Sequence, residues 1–337
     1  MLRGRFKFNR VRGMLSNSSH LFIIRDQNIR TRVLNFTINF SPSYPPEVYF
    51  DTNVLLSMSD SDLESLQAHR AQRGFRYRYS ITNYLEMLSR LGRGPTPKFP
   101  NPFGRIRAAF RRIQRLCEPE VLPSPEMSFL EHVGLSHYLS PTWIPNPEQS
   151  AMAVTVIADA ETIGDITGIG IQTSASIPST RWVVDPTHYT RLTDTDDASV
   201  TAIIQMLSEC ATRPITGDNV QSIVPWFQHV AKFFLLFRPS SGQTRYEELS
   251  SDEKNRFWEG LTCGAGRVFQ AHLTLTALNT INHQHRIDPN DLYDTMQLFL
   301  LNGNRIFVSN DADFFYYTVD ATIHHVVPWE QFRQSLV

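Results

Sequence analysis

The chain has 337 residues, of which 41% are hydrophobic and 22 are Phe, enough for a sizeable core, which excludes a wholly disordered protein. Its net charge is only −1, but residues 1–117 hold 20 basic and 7 acidic side chains, whereas residues 118–337 hold 12 basic and 26 acidic ones. All but four of the 32 basic side chains are Arg, whose planar donor fork matches phosphate, so nucleic acid is a candidate partner.

The cysteines and the apolar runs bear on where the protein works. Cys117, Cys210 and Cys263 are far apart and odd in number, so they predict neither a disulfide framework nor a zinc site, and a reducing compartment fits. The start of the chain lacks the apolar segment of a secretory signal. The longest apolar run, near Val230–Phe237, is too short to cross a bilayer. We therefore expect a cytoplasmic protein with no membrane partner.

The first part of the chain predicts an extension, a strand and a helix. Residues 1–45 carry eight Arg or Lys and one acid, and we expect a loosely attached basic arm. The apolar run Val48–Phe50 predicts a buried strand that ends at Asp51. The amphipathic pattern of Asp60–Gln72 predicts a helix, with Ser59 or Ser61 as its cap and Gly74 at its end.

A second strand and helix follow. Phe75–Ser80 alternates aromatic and polar residues, as a strand does. Thr82 can cap a helix over Asn83–Leu91, which carries Glu86 in its first turns. Ten of the 20 prolines then fall between Pro95 and Pro147, which predicts mostly loop in that interval.

The middle of the chain predicts helices joined by loops. Arg105–Cys117 has the apolar stripe of an amphipathic helix, and Ala198–Cys210 and Val220–Phe237 have helical patterns as well. We interpret residues 101–250 as a large, mainly helical insertion. Ser250 or Ser251, followed by Glu253, predicts a capping box that opens the next helix.

The last part of the chain returns to alternating elements. Asp291–Leu300 predicts a helix, Arg305–Ser309 a short buried strand and Ile323–Val327 a further strand. Strands that alternate with helices predict an α/β fold, with a parallel sheet flanked by helices. The two parts of this core, residues 46–100 and 251–337, would then lie on either side of the insertion.

Four acidic residues fall where α/β folds place functional groups. Asp51 and Asp311 directly follow strands, and Glu86 and Asp294 lie in the first turns of helices. Because ligands of open parallel sheets bind beyond the carboxyl ends of the strands, we expect Asp51 and Asp311 to lie there and Glu86 to lie nearby. Asp294 reaches the same place only if the start of its helix packs against this edge. Taken singly, each also has an ordinary interpretation, as a turn residue, a helix cap or a favourable charge at a helix N-terminus.

Clustered carboxylates suggest a divalent cation. They repel one another, and a hard cation such as Mg²⁺ or Mn²⁺, which prefers oxygen ligands, offsets that repulsion. A metal held in this way can make a bound water more acidic and can stabilise the charge that develops on a phosphodiester. Such chemistry needs no Cys, His or Ser nucleophile.

Four segments of the chain resemble the metal-binding segments of PIN-domain nucleases. They occur in the order of the family and cover less than half of the chain, within about residues 46–92 and 285–330. The segments are Val48–Leu56 (VYFDTNVLL), Tyr77–Leu88 (YRYSITNYLEML), Asp291–Leu298 (DLYDTMQL) and Ile306–Phe314 (IFVSNDADF). The resemblance implies a PIN-like sheet and metal-dependent hydrolysis of phosphodiesters, most often in RNA, with 5′-phosphate and 3′-hydroxyl products.

The resemblance also implies roles for individual residues. It carries Asp51, Glu86, Asp294 and Asp311 as the catalytic, metal-binding set. Two polar residues, Asn53 and Ser309, would position acids or water by hydrogen bonds. Two neighbouring acids, Asp291 and Asp313, are further candidate metal ligands.

Arginines are dense between Gln67 and Cys117, beside the expected metal site. We predict RNA contacts for five of them: Arg76 and Arg78 on the second strand, and Arg107, Arg111 and Arg115 along one helix face. Two alternatives stay open. The strand arginines can solvate an outer face, and the helix arginines can pair with the acidic second half of the chain.

The sequence therefore predicts a Mg²⁺- or Mn²⁺-dependent endoribonuclease. A structure-specific DNA nuclease and a PIN-like module that binds RNA or protein without cleavage are the alternatives. RNA is the expected partner, and a regulatory protein such as an antitoxin, or self-association, is compatible with the pattern. Neither the RNA target nor a role in toxicity, defence or processing follows from it.

Overall fold

The computed structural model describes residues 23–24, 47–92, 95–138, 147–166, 170–172, 178–183, 237–238, 243–266, 268–269, 272, 294–301, 305–311, 314, 318–319 and 326–336. Most of the predicted basic arm and the predicted helix at Ala198–Cys210 lie outside the described residues, as does the predicted helix at Val220–Phe237 except for its last residue.

Ten strands and eight α-helices have both of their ends within the described residues. The strands are β1 (Ile23–Ile24), β2 (Glu47–Phe50), β3 (Arg76–Arg78), β4 (Gly170–Gln172), β5 (Pro178–Val183), β6 (Phe237–Arg238), β7 (Gln243–Thr244), β8 (Arg305–Ser309), β9 (Thr318–Val319) and β10 (Val326–Pro328). The helices are α1 (Thr52–Ser57), α2 (Asp60–Arg73), α3 (Ile81–Gly92), α4 (Pro102–Leu116), α5 (Pro125–His132), α6 (Pro147–Asp159), α7 (Ser251–Thr262) and α8 (Trp329–Gln334).

Four strands form one parallel sheet in the order β10-β8-β2-β3. In the centre, β2 pairs with β8, so that Glu47 lies opposite Arg305 and Phe50 opposite Val308. The predicted parallel α/β sheet with flanking helices is therefore confirmed. Three two-stranded antiparallel pairs, β1-β9, β4-β5 and β6-β7, complete the described strands.

Both faces of the sheet are covered, as parallel sheets require. Val48 and Phe50 belong to a core cluster that includes residues of α1 to α4, α6 and α8. Tyr49 and Phe307 belong to a second cluster with the 3₁₀ turn at Leu298–Leu300. Because side chains alternate along a strand, Asp51 follows Tyr49 onto this second face.

Helix α4 and helix α6 complete the core of the sheet, although both lie in the region predicted as an insertion. Ile106 and Phe110 of α4 and Ile157 of α6 are fully buried in the same cluster as Val48 and Phe50. This part of the region between 101 and 250 is thus integral to the α/β core. The interval from 95 to 147 is also more helical than predicted, because α5 lies within it.

Helix caps confirm several predicted boundaries and correct one. Ser59 opens α2 with a capping box, and Gly74 ends that helix at a φ of 69°, which glycine adopts without strain. Ser250 opens α7 with the predicted capping box. The predicted cap Thr82 is wrong, because the Ser80 hydroxyl accepts the hydrogen bond from the Asn83 backbone N–H and α3 begins two residues early. Among the described ranges, no helix is long and apolar enough to cross a membrane.

Candidate metal centre

Asp51 lies at the centre of the predicted site, where β2 ends and α1 begins. Its backbone N–H donates to the Val308 carbonyl at 2.9 Å, which extends the pairing of β2 with β8 by one residue. Its side chain is almost completely buried, at 2% exposure. The Ser309 hydroxyl donates to the Asp51 carboxylate at 2.7 Å. A carboxylate therefore lies at the carboxyl edge of the sheet with little access to solvent.

Ser309 joins Asp51 to the segment that carries Asp311. The Ser309 Oγ accepts a hydrogen bond from the Asp311 backbone N–H at 2.9 Å while its own proton goes to Asp51. Ser309 is completely buried, and Asp311 is half-buried. This arrangement has the geometry that the predicted positioning role of Ser309 requires.

Glu86 reaches the same edge because α3 is anchored to the end of β2. The Asn83 amide donates to the Phe50 carbonyl at 3.1 Å and to the Thr52 hydroxyl at 3.0 Å. Glu86 follows Asn83 by three residues and so lies nearly one turn further along α3. Asn83 is not among the residues predicted from the sequence, although its position three residues after Ser80, which can cap a helix, was a signal.

Arg90, which is not among the predicted site residues, contacts two of them. Arg90 Nη2 lies 2.6 Å from Glu86 Oε1 and 3.3 Å from Asn53 Oδ1. The predicted polar helper Asn53 is exposed on α1, and Glu86 and Arg90 are both about one-third exposed. Arg90 lies four residues after Glu86 on a predicted helix, so the spacing alone was a signal.

Asp294 approaches this face of the sheet through a buried hydrogen-bonded chain. The Gln297 amide donates to Asp294 Oδ1 at 3.1 Å, and the Tyr49 hydroxyl donates to Gln297 Oε1. Tyr49 and the Ser80 hydroxyl are also within hydrogen-bond distance, at 3.0 Å. Tyr49 precedes Asp51 by two residues, so the chain connects Asp294 with the strand that carries Asp51.

The charges of the neighbouring acids also affect the ionisation of Asp51 and Tyr49. Burial and the neighbouring Glu86 and Asp311 carboxylates raise the pKa of Asp51 to about 7, against opposing hydrogen bonds from Ser309 and the Asn53 backbone. Burial also raises the pKa of Tyr49 well above its usual range. The charges of Asp51, Glu86 and Asp294 act on Tyr49 in the same direction.

The four predicted acids supply the type of ligand that a hard divalent cation prefers, but they are not arranged as a complete metal-binding group. All four acids offer oxygen ligands, which Mg²⁺ and Mn²⁺ prefer. Within the residues that the structure describes, no three or more His, Cys, Asp or Glu side chains are grouped so that they could hold a metal ion. The further candidates Asp291 and Asp313 lie outside the described residues.

The strand arginines predicted to contact RNA lie in an ion-pair cluster at the other edge of the sheet. Arg78 Nη1 is 2.8 Å from Glu47 Oε1, and Arg76 Nη1 is 4.0 Å from the same atom. Arg305 also binds Glu47, at 2.8 Å. Glu47, Arg76 and Arg305 begin their strands, and Arg78, the last residue of β3, reaches back to Glu47, so this cluster lies towards the amino ends of the strands. Asp51 follows the carboxyl end of β2.

The helix arginines predicted to contact RNA line one side of α4. Arg107 Nη1 donates to the Ala160 carbonyl at 2.9 Å, and Arg111 Nε donates to the Ala158 carbonyl at 2.8 Å. These carbonyls belong to the C-terminal end of α6, where backbone acceptors lack partners within the helix. Arg115 is exposed near the end of α4. RNA contact by these arginines stays a prediction.

Comparison of the chain with protein-family models, with curated proteins and with solved structures gave no significant match. The resemblance to PIN-domain nucleases thus rests on the four sequence segments.

Proposed function

We propose that this protein is a metal-dependent endoribonuclease with a PIN-like site. The observation that carries the proposal is the buried Asp51 carboxylate, whose charge interacts with those of Glu86 and Asp311, residues that come from two other chain segments. A fourth segment supplies Asp294, which is linked through Gln297 to Tyr49. An acid at each of these four positions is what the resemblance to PIN-domain nucleases implies.

A divalent cation would offset the cost of burying the Asp51 carboxylate beside other carboxylates. The ion pairs of the described ranges include one between Glu86 and Arg90, and none of them involves Asp51. A buried carboxylate beside other carboxylates resists ionisation unless a cation is close. Mg²⁺ or Mn²⁺ bound by Asp51, Glu86, Asp294 and Asp311 would supply that charge, an activated water and stabilisation of the cleaved phosphate.

The chain's own residues have defined tasks in this proposal. Ser309 donates to Asp51 and thereby favours the ionised carboxylate that binds cations. The Asp311 backbone is held by the same hydroxyl. Asn83 fixes the start of α3 to the end of β2 and so aims Glu86 at the sheet edge. In this proposal, these contacts would hold Asp51, Asp311 and Glu86 in position before substrate binds.

RNA is the proposed substrate because of the resemblance and the charge distribution. The first 117 residues carry 20 basic and 7 acidic side chains. Exposed arginines such as Arg105 and Arg115 on α4 are available for phosphate contact. Matched RNA and DNA oligonucleotides of one sequence would separate this proposal from a DNA nuclease.

The first prediction tests the proposed chemistry. Asp51→Asn and Asp311→Asn each keep the size of the side chain but remove a carboxylate, so we expect RNA cleavage in Mn²⁺ to fall by at least about a hundredfold. RNA binding, measured by fluorescence anisotropy, should persist. Glu64→Gln changes an exposed carboxylate on α2 and is the matched control. Full cleavage by the Asp51→Asn/Asp311→Asn double variant would disprove the proposal.

A second candidate function is a PIN-like module that binds RNA or protein without cleavage. One observation favours it: Arg90 already provides a cation to Glu86. Calorimetric titration with Mn²⁺ separates the two. Heat of binding that disappears in Asp51→Asn supports the nuclease, and absence of heat in the wild-type protein supports the module.

A further inference from the structure

Arg90 contacts two predicted site residues, Glu86 and Asn53. Its Nη2 atom contacts Glu86 Oε1 at 2.6 Å and Asn53 Oδ1 at 3.3 Å. Glu86 is also the neighbouring charge with the largest effect on Asp51. The Glu86 carboxylate is therefore bonded to a guanidinium and also acts electrostatically on the central acid of the site.

An ordinary ion pair on one helix explains the contact of Arg90 with Glu86 but not its contact with Asn53. Glutamate followed by arginine four residues later is a common stabilising pair on helices. Such a pair involves one helix, whereas Arg90 also donates to Asn53, which lies on α1 two residues after Asp51. The contact to a second element holds the guanidinium between α3 and the start of α1, which directly follows Asp51.

We propose that Arg90 is a built-in counter-cation, which holds Glu86 in the metal-free protein and competes with the divalent ion for that carboxylate. The inference rests on the proposed function, because it assumes that Glu86 is a metal ligand. Binding of Mg²⁺ or Mn²⁺ through Glu86 then requires the Glu86–Arg90 bond to lengthen or break. Arg90 thus sets the metal concentration at which the site fills.

The proposed role of Arg90 implies a lower affinity of the site for a divalent cation. The bound metal ion must replace one favourable ion pair and must lie near a like charge. Both effects lower the affinity for the metal ion in the wild-type protein. A partly exposed pair of this kind changes a binding constant by about two- to fivefold.

The second prediction tests this consequence by calorimetry with Mn²⁺ alone. Arg90→Gln removes the charge but keeps an amide that can still bond Asn53, and we expect Mn²⁺ to bind about two- to fivefold more tightly than to the wild-type protein. Arg90→Lys keeps the charge and should remain close to wild type. Arg333→Gln breaks a comparable intrahelical pair with Glu330, which is not a predicted ligand, and should leave the affinity unchanged.

Thermal unfolding provides a second readout that does not depend on cleavage. Metal-free Arg90→Gln should melt below the wild-type protein, because the acids lose their counter-cation. Saturating Mn²⁺ should raise its melting temperature by more than it raises that of the wild type. Equal shifts in both proteins would contradict the inference, even if the calorimetric signal were small.

The outcomes separate this inference from the proposed function. If Mn²⁺ binds the wild type but not Asp51→Asn, and Arg90→Gln binds no more tightly than the wild type, only the role of Arg90 is overturned. If neither the wild type nor Arg90→Gln binds Mn²⁺, both proposals are overturned. Binding by Arg90→Gln alone would support the counter-cation.

Discussion

Asp51 combines deep burial with neighbouring negative charge. A carboxyl group with 2% exposure has lost most of its hydration, and Glu86 and Asp311 add repulsion. Ser309 offsets part of this cost by a hydrogen bond. The ionised form of Asp51 is therefore unfavourable in the metal-free protein, and a cation is the simplest way to stabilise it.

The third prediction follows from the raised pKa of Asp51. The folded protein binds the carboxyl proton of Asp51 more tightly than the unfolded chain does. The free energy of unfolding should therefore fall as pH rises from about 4 to about 7. Above that range the contribution of Asp51 is constant. Asp51→Asn should remove this part of the slope and should be more stable than the wild type at about pH 8 without metal.

Urea denaturation across this pH range, with a chelator present, measures the effect. Glu64→Gln should keep the wild-type slope, because Glu64 is exposed. An identical slope in Asp51→Asn and the wild type would show that Asp51 titrates normally. Added Mn²⁺ should flatten the slope in the wild type, since a bound cation favours the ionised carboxylate.

At the scale of elements, the segment at residues 294–300 connects the candidate site with the second core cluster. Its first residues are helical, and its 3₁₀ turn buries Leu298, Phe299 and Leu300. Gln297, itself 1% exposed, contacts both Asp294 and Tyr49. A packed element with one hydrogen-bonded amide can therefore fix the position of Asp294.

The fourth prediction concerns this amide. Gln297→Leu removes the donor to Asp294 and the acceptor of Tyr49, so we expect a loss of about 1–3 kcal/mol in unfolding free energy and weaker Mn²⁺ binding. Tyr49→Phe removes the hydroxyl but keeps the Gln297–Asp294 contact, so it should reduce stability with less effect on Mn²⁺. Urea denaturation and calorimetry measure the two effects, and wild-type Mn²⁺ affinity in Gln297→Leu would contradict the positioning role.

Over the whole molecule, opposite edges of the sheet have opposite electrostatic character. At the carboxyl ends of the strands, the charges of Glu86 and Asp311 act on the buried Asp51 carboxylate, whereas towards the amino ends Glu47 binds Arg78 and Arg305. Burial alone would raise the pKa of Glu47, but Arg305, Arg78 and Arg76 outweigh it and lower the pKa. Glu47 and Arg305 are 258 residues apart, so this cluster joins distant parts of the chain.

The fifth prediction tests how much the ion-pair cluster around Glu47 stabilises the fold. Glu47→Ala leaves Arg78 and Arg305, with side chains 10% and 14% exposed, without their shared carboxylate, so the unfolding free energy should fall by about 2–4 kcal/mol. Glu330→Ala breaks an exposed pair and should change stability little. Urea denaturation compares the two variants, and similar effects in both would show that the cluster contributes no more than a surface pair.

Local patterns were enough for most of the sheet and for several helix ends. An apolar run bounded by polar residues identified Arg305–Ser309 without error and Val48–Phe50 to within one residue. Capping serines identified the starts of α2 and α7, because a cap is a contact between residues three apart. The same information identified the acids at the strand ends.

Longer-range arrangements needed the folded chain. The sequence by itself determined a parallel α/β core with carboxylates at its strand ends, because strand periodicity and strand-end position are local properties. Only the tertiary structure decided that α4 and α6 complete this core, that Arg107 and Arg111 donate to backbone carbonyls, and that Arg90 contacts Asn53. The choice of partner for a long charged side chain depends on which surfaces packing brings within a few ångströms, and no pattern along the chain encodes that distance.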